Sequence, residues 1–109
     1  MVVLTALYKT PGDAAAFDTH YNDVHTPLIK KIPGLRKLEV IRYGKMLTPA
    51  TAMLAEQPYL QCNMYFDNKD AFKAAMASEE NKAAGADLMS FAGTLVSMCT
   101  GNADNIELQ

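Results

Sequence analysis

The chain has 109 residues, about half of them apolar, and ten Lys and Arg against twelve Asp and Glu. That length fits one domain spanning 1–109 with a core of ordinary size. A net charge of −2 without a basic stripe speaks against nucleic acid or an anionic membrane as partner, and no apolar run approaches the ~20 residues of a membrane span.

The opening segment, MVVLTALYKTPGD, lacks the basic region and cleavage site of a signal peptide, so a cytoplasmic protein is expected. Within it, VVLTALYK (2–9) is short and rich in β-formers, which predicts a strand. Pro11 and Gly12 turn the chain, and Asp13 stands where an N-cap belongs. From 14 to 32 the apolar residues fall at Phe17, Tyr21, Val24, Leu28 and Ile32. Steps of four, three, four and four define one helix face. Pro27 interrupts this helix and predicts a kink or break near Thr26. Pro33-Gly34 ends it.

LRKLEVIRYGKM (35–46) reads as a second strand. Residues 47–58 hold two prolines and no clean period, so a loop is expected. YLQCNMYF (59–66) alternates Leu60, Cys62, Met64 and Phe66 against Tyr59, Gln61, Asn63 and Tyr65, the pattern of a half-buried third strand. Asp67 or Asn68 can cap the next helix, KDAFKAAMAS. A second helical piece follows Ser78, whose acidic neighbours Glu79 and Glu80 suit a first turn. It runs to about Phe91, with Gly85 as a weak point. GTLVSMCT (93–100) is the fourth strand. Ile106 and Leu108 in the tail are candidates for docking on a partner. Cys62 and Cys99 lack the spacing of a zinc site, and reduced, buried thiols are expected.

The order β-α-β-β-α-β is that of a ferredoxin-like α+β fold: a four-stranded antiparallel sheet with its helices on one face. The other face would carry Val3, Leu7, Tyr65 and Leu95, too much apolar surface to leave in water. A second copy packed about a two-fold axis would cover it, and the homodimer would enclose room for a small ligand.

Phe17-Asp18, Tyr21, His25, Pro27-Leu28 and Ile32-Pro33-Gly34-Leu35 together resemble the signature of the EthD family, named for a protein of ethyl tert-butyl ether degradation. MYFDNKDAFKAAM (64–76) is similar to that family's aromatic pair, turn and helix. The resemblance runs from the first strand to the fourth. It implies the dimeric α+β barrel, whose relatives include cofactor-free monooxygenases, muconolactone isomerases and stress-response proteins. It implies no one reaction, because a fold does not dictate a function.

His25 is the leading catalytic candidate. It matches the family's helix histidine, lies near the Pro27 break, and can move a proton at neutral pH. A purely structural role, bonding the backbone at that break, fits it too. His20 sits at the margin of the apolar stripe and reads as solvated or packed. The two histidines lie about 140° apart around a regular helix, which disfavours a joint metal site. Asn63 is a polar amide inside an apolar strand and demands partners if buried. With Thr5 and Ser97 it would form a polar group on the open sheet face. Tyr21, Tyr43 and Tyr8 are further phenols that can either orient a ligand or pack. In muconolactone isomerases the resemblance would put a catalytic cysteine and tyrosine at Met64 and Leu38, so that mechanism does not carry over. Cys62 reads as an inert core thiol. The expected activity, if any, is cofactor-free proton transfer on a small apolar molecule: isomerisation, dehydration, or deprotonation before reaction with oxygen. His25 would be the acid or base, with Asn63 and Tyr43 orienting a carbonyl or enolate. The alternatives are a non-catalytic accessory binding protein and a stress-type dimer module.

Overall fold

The computed structural model describes residues 1–48 and 56–109. Most of the predicted 47–58 loop lies outside them. Four strands, β1 (Val2–Lys9), β2 (Lys37–Arg42), β3 (Pro58–Phe66) and β4 (Val96–Asn102), form a sheet of order β2-β3-β1-β4. The neighbouring strands all pair antiparallel. Four α-helical segments accompany them: α1 (Ala14–His20), α2 (Thr26–Ile29), α3 (Lys69–Met76) and α4 (Glu79–Ala92), with a π-helical turn, Tyr21–His25, between the first two. The α+β, ferredoxin-like architecture is as predicted. The fourth strand starts three residues later than the sequence pattern suggested, and the second is shorter at both ends.

Alternation along β1 sorts its side chains by face. Val2, Leu4, Ala6 and Tyr8 are buried, while Val3, Thr5 and Leu7 on the opposite face are half-buried. The first set meets the helices. Leu4, Ala6 and Tyr8 join Leu60, Cys62, Met64 and Phe66 of β3 with Phe17, Tyr21, Ile29, Ile32, Ala84 and Leu88 in the core. The second set belongs to the face that no helix covers.

Local capping sets the helix starts. Asp13 accepts the Ala16 amide at 3.0 Å, Asn68 that of Ala71 at 2.9 Å, and Ser78 that of Asn81 at 3.1 Å. Each satisfies one amide that a helix start leaves without an intrahelical partner. Helix α2 ends at Ile29, three residues before the predicted limit. Lys31 and Ile32 continue with tighter bonds to Leu28 and Ile29, and Gly34 takes the left-handed exit at φ 79°. The two cysteines part company. Cys62 is buried against the helices, whereas Cys99 is exposed and pairs across the ladder with Thr5 on the open face. The expectation of two buried thiols therefore holds for Cys62 alone.

Candidate functional site

The predicted break near Pro27 takes the form of a widened turn. Tyr21–His25 is a π-helical segment between α1 and α2, and the Thr26 amide reaches back five residues to the Tyr21 carbonyl. The Thr26 hydroxyl donates to the same oxygen at 2.8 Å. Pro27 has no N–H to place in the ladder, so a looser turn is cheap there. This turn rotates the helix face. In a regular helix Ile29 would lie about 120° around from Phe17. The extra residue of the π turn takes up about that angle. The buried stripe therefore becomes Phe17, Tyr21, His25, Ile29 and Ile32. Val24, predicted to be buried, is 42% exposed, and His25 takes its place at 3%.

The same turn overturns the argument that the two imidazoles must diverge. Both point at α4, where Asp87 receives them. His20 Nε2 lies 2.8 Å from Asp87 Oδ1, and His25 Nδ1 lies 2.9 Å from Asp87 Oδ2. An ionised carboxylate only accepts, so each of these nitrogens carries its hydrogen. Phe91, one turn beyond Asp87, packs its ring 4.4 Å from the His20 centroid and 5.0 Å from that of His25. Ring position, tautomer and orientation of His25 are thus held by α4. Burial pushes the imidazole's pKa below its ordinary value, and the Asp87 carboxylate opposes that shift. His25 is therefore neutral at pH 7, with its lone pair on Nε2.

His25 borders a cavity of about 250 Å³ between the helices and the helix-facing side of the sheet. The walls are almost wholly apolar: Leu4, Ala6, Met64, Ile29, Ile32 and Leu88 from several elements, with Tyr8 and Cys62 at the sheet. Met89 of α4 and Met98 of β4 also line it, and both are substantially exposed. The way in lies between these two elements. Burial raises the Cys62 thiol above its usual range, so the sulfur is protonated and a poor nucleophile. Tyr21 lies under His25, with ring centroids 5.5 Å apart. Its buried hydroxyl lies against the Cys62 thiol, a weak partner, and makes no regular hydrogen bond among the described residues.

The remaining predicted residues lie on the other side of the sheet. Asn63 is buried on the helix-free face, 6% exposed, and is satisfied by its own sheet. Thr5 Oγ1 and Gln61 Nε2 donate to its Oδ1 at 3.0 and 2.9 Å, and its Nδ2 donates to Glu39 at 2.9 Å. The Tyr65 hydroxyl donates to the same Glu39 oxygen, and that of Tyr43 to Gln61. These donors hold the Glu39 carboxyl below the usual carboxylate range, with Asn63 first and Tyr65 second. Ser97 is exposed and pairs across from Leu7, two positions along β4 from the residue opposite Thr5. It therefore stands apart from the Thr5–Asn63 pair. Within one protomer the sheet separates Asn63, Thr5, Tyr43 and Ser97 from His25. The predicted joint action of His25 with Asn63 and Tyr43 is corrected by this geometry, since alternate strand residues face opposite ways.

The sequence profile of the EthD domain matches residues 9–94. An uncharacterized 11.0 kDa protein from the thcB-thcC intergenic region of Rhodococcus erythropolis is 33% identical over 99 residues, 90% of each chain. This chain belongs to the EthD family. A crystal structure of an EthD family protein from Bacillus halodurans C-125 is 42% identical and superposes with a TM-score of 0.84, covering 95% of this chain and 99% of that one. SnoaB, a cofactor-independent oxygenase from Streptomyces nogalater, shares the fold at a TM-score of 0.65 and 14% identity, over 96% and 94% of the two chains. The EthD match contains His20, His25 and Asp87 and stops short of Thr5, Tyr8 and Ser97.

Asp87 is the residue that sequence reasoning missed. A signal was present. Asp87 lies three residues after Ala84 and four before Phe91, on the stripe by which α4 faces the core. A carboxylate there needs a partner, and the histidines of α1 and the π turn were the available ones.

Proposed function

We propose that this EthD protein binds a small, mostly apolar organic molecule in the helix-side cavity and transfers a proton there without a cofactor. His25 is the general base, and then acid, through Nε2. Asp87 is its positioning partner: it fixes the Nδ1–H tautomer and faces the imidazolium once a proton arrives. The observation that carries this reading is the buried imidazole held at 2.9 Å by Asp87 Oδ2 at the wall of an apolar cavity, where burial lowers its pKa. Such a base needs no metal to take an acidic C–H or O–H proton at neutral pH. Isomerisation, dehydration and deprotonation ahead of oxygen all begin with that step.

The open sheet face is read as a homodimer interface. Val3 and Leu7 lie beside the satisfied polar cluster of Thr5, Gln61 and Asn63, and no helix covers them. A self-complementary patch of that kind suits a two-fold pairing. Sedimentation as a monomer at micromolar concentration would remove this part of the reading. In the dimer, small-molecule binding by Asn63, Thr5, Ser97 and Tyr43 would belong to a separate site between the two sheets.

The test of the cavity base is proton exchange. The protein is incubated in D₂O with 2-tetralone, a small bicyclic ketone, and loss of the α-proton signal is followed by NMR above the buffer rate. Acceleration by the wild type that disappears in a folded His25→Ala variant supports the enzyme. Binding of the ketone without acceleration favours the second reading, a non-catalytic accessory protein. That reading draws on the largely apolar remainder of the cavity. If His25→Ala only unfolds the chain and neither binding nor exchange occurs in the wild type, a structural module remains.

A further inference from the structure

Asn81 also lines the cavity, and its Nδ2 donates to the Met76 carbonyl at 3.2 Å; deeper in, His25 Nε2 and the Tyr8 hydroxyl make no hydrogen bond among the described residues. Their chemistry is opposite. Burial keeps the proton on the Tyr8 phenol, by raising its pKa well above the ordinary value, so Tyr8 is a donor. His25 gives its Nδ1–H to Asp87, so Nε2 is an acceptor. Among the described residues no Lys or Arg lines the cavity. The charge nearest the imidazole is the Asp87 carboxylate, already engaged by two histidines. An anion entering here would lose its hydration, meet no cation and face a like charge.

Resting on the cavity site proposed above, we infer that its ligand is a neutral carbonyl compound, apolar over most of its surface, with an ionisable C–H or O–H beside the carbonyl. Tyr8 donates to the carbonyl oxygen while His25 Nε2 accepts the adjacent proton. On transfer, the C–H bond breaks, its electron pair moves into the carbonyl as an enolate, and the proton rests on Nε2. The Tyr8 hydrogen bond then carries the oxyanion, and Asp87 faces the imidazolium. No oxidant or co-reactant enters this step. Size follows from volume. A cavity of about 150 Å³ takes a benzene, so 250 Å³ scales to roughly ten non-hydrogen atoms, two fused six-membered rings.

Three probes of that size separate the elements of this reading. The full-length protein is titrated calorimetrically at pH 7.5 with 2-tetralone, with the hydrocarbon tetralin and with 2-naphthoate. The ketone binds about tenfold tighter than tetralin, the yield of one good hydrogen bond, and the carboxylate binds more weakly than either. In Tyr8→Phe the ketone falls to the tetralin level and tetralin is unchanged. Naphthoate binding as tightly as the ketone overturns the neutral-ligand inference. Equal affinity for ketone and tetralin in the wild type overturns the donor–acceptor pairing, and that comparison needs no variant. Failure of all three to bind the folded protein removes the cavity site itself. Loss of proton exchange alone leaves the ligand class standing.

Discussion

Replacing Asp87 by Asn preserves size and removes a charge and an acceptor. The carboxylate accepts from both imidazoles, at 2.8 and 2.9 Å. A carboxamide has one oxygen to accept with and an NH₂ that can only donate. One imidazole must therefore surrender its bond or change tautomer. The His25 contact is the more enclosed, with side-chain exposures of 4% for His25 and 14% for Asp87, against 33% for His20. A buried hydrogen bond to a charged group contributes about 1.5–3 kcal/mol net. The His20 contact, closer to a surface pair, contributes up to about 1 kcal/mol. Asp87→Asn should then cost about 2–3 kcal/mol, or roughly 10 °C in Tm for a chain of this length. Urea unfolding at pH 7.5 measures the loss, and ¹⁵N shifts of the His25 ring report the tautomer. An unfolding free energy within about 0.5 kcal/mol of wild type, the ordinary surface-mutation range, together with an unchanged Nδ1–H form, would refute the carboxylate's role.

Three further outcomes follow from the same geometry. Burial holds the folded-state pKa of His25 below its ordinary value, so the unfolded chain binds the proton first. The associated stability is complete above about pH 6.5, the unfolded imidazole value, and declines as pH falls from there through the lower folded value. Denaturation at pH 7, 6 and 5 should show a slope that His25→Gln reduces, and identical slopes would contradict a buried neutral imidazole. Tyr21→Phe removes a buried hydroxyl that faces only the weakly bonding Cys62 thiol. It should leave stability unchanged or raise it by up to about 1 kcal/mol, where a satisfied phenol would have cost that much. A clear loss in urea unfolding would assign that hydroxyl a partner. Gly85 lies inside α4, and a Cβ there meets no atom within 4 Å. Gly85→Ala should stabilise by about 0.5–1 kcal/mol through helix propensity alone, read from the same unfolding curve. Destabilisation would mean that the cavity wall cannot accept a methyl group.

Much of the fold was legible because its causes are local. A cap bonds an amide three residues away, strand alternation repeats every two residues, and a proline acts on the turn it occupies. Asp13, Asn68 and Ser78 therefore marked helix starts, VVLTALYK gave the limits of β1, and Pro27 announced an irregular turn. The same alternation along β1 and β3 put Thr5 and Asn63 on one shared face, while which face that is was left to the tertiary structure.

What local pattern could not supply was the phase of the first helical segment. Counting residues assumes a constant rotation per residue, and a π turn of five residues breaks that assumption between Tyr21 and His25. Val24 consequently turns to solvent, and His25, expected at the buried side or its edge, takes the core position. The partner was equally out of reach. Asp87 lies 62 residues beyond His25, and only the packing of α4 against the π turn brings one carboxylate between two imidazoles. Sequence alone thus determined the family, the element order and His25 as the residue of interest. Tertiary structure decided which face of the sheet His25 serves and what holds its proton. A helix–helix contact is the sum of many weak side-chain packings, and no single stretch of chain encodes it.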